Sequence, residues 1–484
     1  MIYDVAIIGA GVSGCSTAWH LSHQELKVVL IDKECDSGFG ITKANSGIVH
    51  GGFHHPVTSL KAKLEVEAIP MFDKMKEELD FPYEKCGIIV AAFNEEQIET
   101  CKKLFAQGHA NGVDTLKWCS KEELLAMEPK LSPDTCGGFF APEGGVIEPY
   151  AYAFRMASSA KLNGVDLCYD SKITKGEFND GLWTLHIAGS DRVIKSRYVV
   201  NAAGLYADEV SRCCNAENFT ITPRKGEEYL LDRNSAGRPN HVIFPVPSKH
   251  SKGVLVIPTV GGTTMIGPNA QMIEDKSDTA TNADTFKNIL QLVKPMISGI
   301  TERDCITSFA GLRPVMEGED FYIAPSELVP NFIQAAGIQS PGLTASPAVG
   351  KYIMKLLSDA GLAMTPKKGE RKMLPPRHEV RNLTTAEVSA LHDGCAEYTE
   401  FVCRCEKITR AEIVEAVRLG HTTLDGVKFY TRAGMGRCQG GFCAAKIMKI
   451  ISETSGIPLE ELTKRGGESK LIAGRLGALE VKGE

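Results

Sequence analysis

The 484-residue chain has no apolar run approaching the roughly 20 residues that cross a bilayer as a helix, so no membrane span is expected. It also lacks an excess of one charge. Lysine and arginine number 54 against 60 aspartate and glutamate, a formal net charge of -6 with the 12 histidines neutral. That balance gives no broad basic field to draw in nucleic acid or an anionic membrane face, so an anionic ligand has to be held by a local cluster. The opening residues carry no basic leader followed by a small-residue cleavage site, and the expected location is the cytoplasm. Fifteen cysteines, an odd number at irregular spacings, do not make the even framework of a secreted disulfide scaffold. Reduced thiols or metal ligands are expected instead. Internal repeats and low-complexity tracts are absent as well. What remains is an ordinary globular composition, 43% hydrophobic and 24% charged. Its length suits roughly two to four domains.

Tyr3–Ile8 reads as a buried strand, the turn from Gly9 to Gly14 opens an apolar helical stretch through Leu21, and Lys27–Asp32 reads as a second strand. This is a βαβ unit. Shorter strand-like runs recur at Cys86–Ala92, Trp183–Ile187, Tyr198–Asn201, Gly253–Ile257 and Asn331–Ala336, with helical stretches between many of them, so the class is α/β or α+β. The stretch Ala363–Leu383 is rich in Pro, Lys and Arg and poor in apolar periodicity, and residues 361–395 are expected to form an exposed linker. A C-terminal module over 396–465 and a weakly specified tail over 466–484 should follow.

Gly9, Gly11 and Gly14 follow a strand, open a helix and precede an acidic residue, Asp32, at the end of the next strand. A glycine triplet alone is weak, and a ligand-free turn is its plain alternative. The strand, helix and acidic partner together make it a dinucleotide fingerprint. Gly9 permits the tight turn, Gly11 lets backbone N–H groups reach the pyrophosphate, and Gly14 allows close helix-to-strand packing. Asp32, with Lys33 beside it, is expected at the adenosine ribose. The fingerprint does not itself separate NAD from FAD. FAD is favoured because only one fingerprint occurs and because Arg197–Asp208 carries the small residues Ala202, Ala203 and Gly204, where a second backbone segment could approach the dinucleotide.

These residues occur with a further ordered set: Asn45 to Gly52, Ser59 to Lys63, Pro223 to Glu227, Gly267 to Asn269, Gly311 to Pro314 and Gly337 to Gly342. Over residues 1–360 the chain resembles the glycine-oxidase-like FAD family, and within it the glycerol-3-phosphate dehydrogenases and oxidases, with the L-2-hydroxyglutarate dehydrogenases as near relatives. The resemblance implies a Rossmann-type FAD-binding domain built from about 1–80, 140–210 and 311–360, and an α+β substrate cap from about 81–139 and 211–310. It puts Asn45, Ser46 and Gly47 along the FAD. It also has Gly337, Ile338, Gly342, Leu343 and Thr344 bring a helix N-terminus to the isoalloxazine edge, where N–H groups would stabilise negative charge.

Oxidising a secondary alcohol requires hydride loss to the flavin and removal of the hydroxyl proton by a base. His50 is the candidate base, in a glycine-flanked stretch that matches the family's histidine; His54 and His55 read as turn or surface residues. A structural histidine is the plain alternative. An anionic substrate needs a fixed cation, and Arg313 lies where the family has a substrate-binding arginine, in what Gly311 and Pro314 suggest is a shaped loop. Lys252 and Ser340 match polar positions of the family's substrate pocket, and Arg224 and Glu227 read as pocket-wall residues.

Five cysteines, Cys395, Cys403, Cys405, Cys438 and Cys443, fall within 49 residues. Cys403 and Cys405 are one residue apart and Cys438 and Cys443 four apart, spacing that suits a zinc knuckle poorly. Four thiolates can hold a [2Fe–2S] cluster, with Gly434, Gly436, Gly440 and Gly441 letting backbone N–H groups reach sulfur. The segment resembles the bacterioferritin-associated-ferredoxin (BFD) type of [2Fe–2S] domain, a small helical iron–sulfur module, although that type usually separates its second pair by two residues. Cys395 is left out of the ligand set.

The expected protein is an FAD-dependent dehydrogenase that oxidises sn-glycerol 3-phosphate, an anionic 2-hydroxy substrate, to dihydroxyacetone phosphate. It would pass electrons singly through the cluster to an acceptor protein or a quinone-linked subunit, with any membrane contact made through that partner. An L-2-hydroxyglutarate dehydrogenase is the nearest rival. A non-catalytic flavin and iron–sulfur electron-transfer subunit is the rival of another class.

Overall fold

Strand β1 (Ile2–Ile8) ends in four fully buried residues, Val5 to Ile8, because it runs between two parallel neighbours and is covered on both faces. Helix α1 (Val12–Leu21) and strand β2 (Val28–Ile31) complete the expected βαβ unit. The structure, a computed structural model, describes residues 1–246 and 253–474. Strands Ile173–Asn179, Leu182–Ile187 and Val193–Asn201, then β1, β2 and Asp166–Cys168, lie side by side in one sheet. Phe332–Ala336 joins it parallel to Val193–Asn201 and carries Tyr322–Pro325 at its edge. The long helix Gly342–Asp359 packs on α1, and the two approach so closely at Gly350 that a Cβ there would stand 2.4 Å from Ser16 Oγ. A continuous core of Ile7, Leu30, Phe72, Tyr152, Ile333 and Ile353 fills this layer.

A second sheet runs in the order Gln271–Met272, Thr222–Leu231, Thr264–Gly267, Leu255–Pro258, Val242–Pro245, Ile88–Ala92, Gly137–Ala141, Lys117–Cys119. Cys305–Val315 pairs antiparallel with Thr222–Leu231 along ten register positions. Both faces of this sheet are apolar, one built round Phe139 and Phe244 and the other round Ile89, Val256 and Ile289. Strand β3 (Ile48–Val49) belongs to a small third sheet with Gly145–Ile147 and Tyr83–Glu84. The mixed α/β class expected from the sequence is the class observed.

Three boundaries need correction. Residues 311–315 were expected with the FAD part, but Cys305–Val315 is one uninterrupted strand of the second sheet, and Gly137–Ala141 of that sheet runs past residue 139. Arg313 accordingly stands on a strand, not in a loop. Segment 361–395, expected as an exposed linker, is exposed over most of its length and holds the break between two units, but it is bound into them and not free-running. The chain divides into two compact units, Met1–Lys33 with Ser37–Leu374 and Glu34–Asp36 with Pro375–Glu484. Residues up to Leu374 belong to the first: Glu25 N–H donates to Thr365 O, Lys367 N–H donates to His23 O, and Arg371 pairs with Glu78 at 2.6 Å. Beyond them, Val380 is buried and helix Thr385–Gly394 starts at a Thr384–Glu387 capping box.

The second unit is small and largely helical, with Arg410–Arg418, Leu424–Thr431 and Ala444–Ser455 packed about Ile413, Val427, Ile447 and Ile451. A two-stranded ribbon, Phe401–Cys403 with Ile408–Thr409, precedes them. Of the expected tail, residues 475–484 lie outside the described residues.

Candidate active site and thiol cluster

The glycine turn is held by contacts that leave no room for side chains. Gly9 has φ +110°, and a Cβ there would stand 2.3 Å from Ala202 O; at Gly14 a Cβ would stand 1.8 Å from Gly9 O. Ala202 N–H donates to Ile8 O at 2.8 Å, so the segment carrying Ala203 and Gly204 runs directly against the fingerprint, as the small residues suggested. Gly11 differs. Apart from its chain neighbours only Thr42 Oγ1, 3.3 Å away, lies near the position of a Cβ, and the backbone there has the open approach that a pyrophosphate needs. Asp32 Oδ2 accepts the Ala10 N–H at 2.5 Å, which fixes the carboxylate at the end of β2, and Lys33 Nζ lies 3.5 Å from the centre of the Tyr206 ring. The residues therefore fit a dinucleotide bound at the start of α1.

His50 follows β3. Its backbone N–H donates to Thr344 Oγ1 at 2.9 Å, and Thr344 donates to Ile48 O, so the first turn of helix Gly342–Asp359 clamps this stretch. The His50 Nε2 lies 3.4 Å from Ser340 Oγ, and its ring stands edge-on to Phe244 at 5.8 Å. Ile338 and Leu343 pack against the main core. Asn45 accepts the Gly47 N–H and donates to Thr42 O, locking the turn in which Gly47 has φ +62°. Lys252 lies outside the described residues.

Strand register explains what lies opposite. Along Thr222–Leu231 alternate residues share a face, so Arg224, Gly226 and Glu228 line up against Arg313, Gly311 and Phe309 of the paired strand. Gly311 is the crossing point of the 44–47 turn, since a Cβ there would stand 2.0 Å from Ala44 O. Arg313 folds over Gly226 and donates to Asn269 O at 2.6 Å, Arg224 O at 3.3 Å and Lys225 O at 3.4 Å. These bonds use Nε and Nη2 and, among the described residues, leave the two Nη1 donors for an anion. Burial pulls the guanidinium down to about 10, with Glu228 acting against it, so it is a cation at neutral pH.

Glu228, which sequence reasoning passed over, is buried and accepts from Ser46 Oγ at 2.8 Å. Its neighbour Glu227 points to the other face, where Tyr229 and Asn282 bind it, and is structural. Arg224 pairs outward with Glu319 at 2.6 Å.

The four singled-out thiols come together in the second unit. Cys405 Sγ and Cys438 Sγ are 3.6 Å apart, and Cys403, which accepts from Gly434 N–H at 3.5 Å, hydrogen-bonds with Cys443. The bond to Cys443 favours the Cys403 thiolate and draws it down to about 6. A Cβ on Gly436 would stand 2.3 Å from Cys405 Cβ, so glycine is needed for the two cysteine loops to meet. No described group of three or more His, Cys, Asp or Glu surrounds one point as for a single ion. Two thiol pairs are the donor set of a two-iron cluster, and in that respect the residues fit one. Cys214 is buried, and a Cβ on Gly176 would stand 2.5 Å from its Sγ, in keeping with a packing role.

A parallel βαβ unit with its glycine cradle, a second sheet laid across the 44–47 turn, and a separate thiol-bearing unit define a dinucleotide-dependent oxidoreductase with an iron–sulfur module. Residues 4–356 match the family of FAD dependent oxidoreductases, and the chain belongs to that family. Residues 401–453 match the BFD-like [2Fe–2S] binding domain. A glycerol 3-phosphate dehydrogenase of Caloramator mitchellensis is 38% identical over 98% of each chain. A glycerol 3-phosphate oxidase of Mycoplasma genitalium is 32% identical over 73% of this chain and 94% of its own. The solved L-alpha-glycerophosphate oxidase of Mycoplasma pneumoniae, with FAD bound, superposes with a TM-score of 0.74 at 30% identity, covering 78% of this chain and 99% of the other. No described helix is long and apolar enough to cross a membrane.

Proposed function

We propose that this chain oxidises sn-glycerol 3-phosphate to dihydroxyacetone phosphate. The observation that carries the reading is the His50 Nε2 to Ser340 Oγ approach of 3.4 Å at the start of helix Gly342–Asp359. FAD, when bound, supplies the hydride acceptor. His50 Nε2 takes the proton of the substrate hydroxyl, and Ser340 holds that hydroxyl toward it. The free Nη1 donors of Arg313 hold the phosphate, with Lys252 as a second cation. The full-length relative named for glycerol 3-phosphate supports the substrate. Cys403, Cys405, Cys438 and Cys443 would hold the cluster, which would supply one-electron transfer toward a partner protein or a quinone-linked subunit. Any membrane contact is made through that partner.

The test is the flavin absorbance of anaerobic holoprotein mixed with glycerol 3-phosphate or, separately, with L-2-hydroxyglutarate. Fast bleaching by the first alone is expected. Bleaching by the second alone transfers the substrate to the hydroxyglutarate reading. His50→Ala should slow bleaching by about 100- to 10,000-fold while FAD stays bound. A protein that only relays electrons bleaches with neither substrate and is indifferent to that substitution.

A further inference from the structure

Around the thiols the chain changes character. From Gly426 to Ser452 there are five basic residues, Lys428, Arg432, Arg437, Lys446 and Lys449, and no acidic one, in a protein whose net charge is -6. Arg437, Lys446 and Lys449 are exposed, as are Arg404 and Lys407 on either side of Cys405. Of the carboxylates beside them, Glu406 is buried and turned inward, 3.1 Å from Arg432 and 3.5 Å from Arg381, and Glu453 pairs with Lys449 at 3.6 Å. Arg404, Lys407 and Lys446 form no ion pair with a described residue. Cys405 is itself exposed. Beside the buried Cys443 stands Phe442, 86% exposed, two residues after Gly440, which has φ +88°.

Phe442 is a large aromatic ring in water, one residue from a thiol and four from the exposed Lys446, and its exposed side chain adds nothing to the core. We infer that this face docks a small acidic protein that carries one electron at a time, with Phe442 as its apolar anchor. The inference rests on the reading of the cluster as the electron exit. In the docked pair one electron passes from the reduced cluster to the oxidised centre of the carrier, and a second carrier takes the second. Cations at the rim speed encounter with an acidic partner and do so less as salt shortens their reach, while a central aromatic contributes at all salt concentrations.

The test uses full-length holoprotein reduced with dithionite, freed of excess reductant, and mixed with oxidised rubredoxin as the acidic carrier or cytochrome c as the basic one. Binding is followed by calorimetry and transfer by absorbance. Rubredoxin should bind and be reduced in preference to cytochrome c at low salt, by about tenfold or more, and the preference should shrink at high salt. Arg404→Glu with Lys446→Glu should reverse the preference, and Phe442→Ala should weaken rubredoxin binding several-fold at both salts. Equal handling of the two carriers, or no response to charge reversal, overturns the docking face. Bleaching of the flavin by glycerol 3-phosphate is measured on the same variants and should not change. A protein that binds rubredoxin as stated but fails to bleach loses the substrate assignment and keeps the docking face. One that bleaches normally but reduces neither carrier loses the exit role and the docking face together.

Discussion

Ser46 Oγ donates a 2.8 Å hydrogen bond to Glu228 Oε1 across 182 positions of sequence, and the other oxygen of that carboxyl is buried with no hydrogen-bond partner among the described residues. The pair ties the turn proposed to line the flavin to the strand that faces Arg313. Burial raises the Glu228 carboxyl to about 7, with Ser46 and Arg313 both pulling the other way. The folded protein therefore holds this proton more tightly than the unfolded chain, whose carboxyl titrates near 4.5. The resulting stabilisation is complete below the lower value and is lost as pH rises to the higher one. Glu228→Gln keeps an acceptor for Ser46 and cannot ionise. Relative to the parent it should gain stability between pH 5 and pH 8, on the order of 3 kcal/mol by the upper end. Denaturation curves that shift in parallel for the two proteins across that window would reject the assignment.

Glu228 shows why part of the site was hidden. The fingerprint of Gly9, Gly11, Gly14 and Asp32 is local, and each residue's role follows from its spacing within one βαβ unit. Glu228 acquires its role from the register of two strands about 80 residues apart and from a turn that crosses them at Gly311. Nothing in the run Pro223 to Tyr229 tells which of its two adjacent glutamates faces Ser46. The α/β class was legible because Val5 to Ile8 are apolar on both faces and bounded by glycine. Segment 361–395 reads as exposed and is so over most of its length, but its Pro and Lys content hides long-range partners such as Glu78 for Arg371.

Arg313 spends Nε and Nη2 on backbone carbonyls, so its position is set before any substrate arrives. Arg313→Lys removes this tethering and replaces a planar fork by a single ammonium. The Michaelis constant for glycerol 3-phosphate should rise by about 10- to 100-fold, the loss of one or two charge-assisted hydrogen bonds, with FAD content unchanged. Steady-state kinetics with a small artificial acceptor measure this, and an unaltered constant would remove Arg313 from phosphate binding.

Gly14 sets how closely α1 can lie on β1. With Gly9 O only 1.8 Å from where a Cβ would stand, Gly14→Ala has to push the helix away from the turn. Overpacking of this kind costs about 1–3 kcal/mol, and here it also spoils the cradle at Gly11. The variant should melt earlier and be purified with little flavin, read as flavin absorbance per chain. A variant with full flavin content would show that the turn can be rebuilt at no loss.

The two thiol pairs sit in a unit with its own core, and that separation makes their role testable apart from the flavin site. Cys403 accepts the Gly434 N–H and pairs with Cys443, so Cys403→Ser exchanges the proposed thiolate ligand for a hydroxyl without altering the Ile413, Val427 and Ile447 packing. Iron and acid-labile sulfide per chain should fall sharply, while FAD content and glycerol-3-phosphate-driven bleaching stay at parental values. Re-oxidation of the bleached flavin by a one-electron protein acceptor should then fall to background. If iron content instead survives the loss of Cys403, the thiol is packing, not a ligand, and the cluster has to be sought on the remaining cysteines.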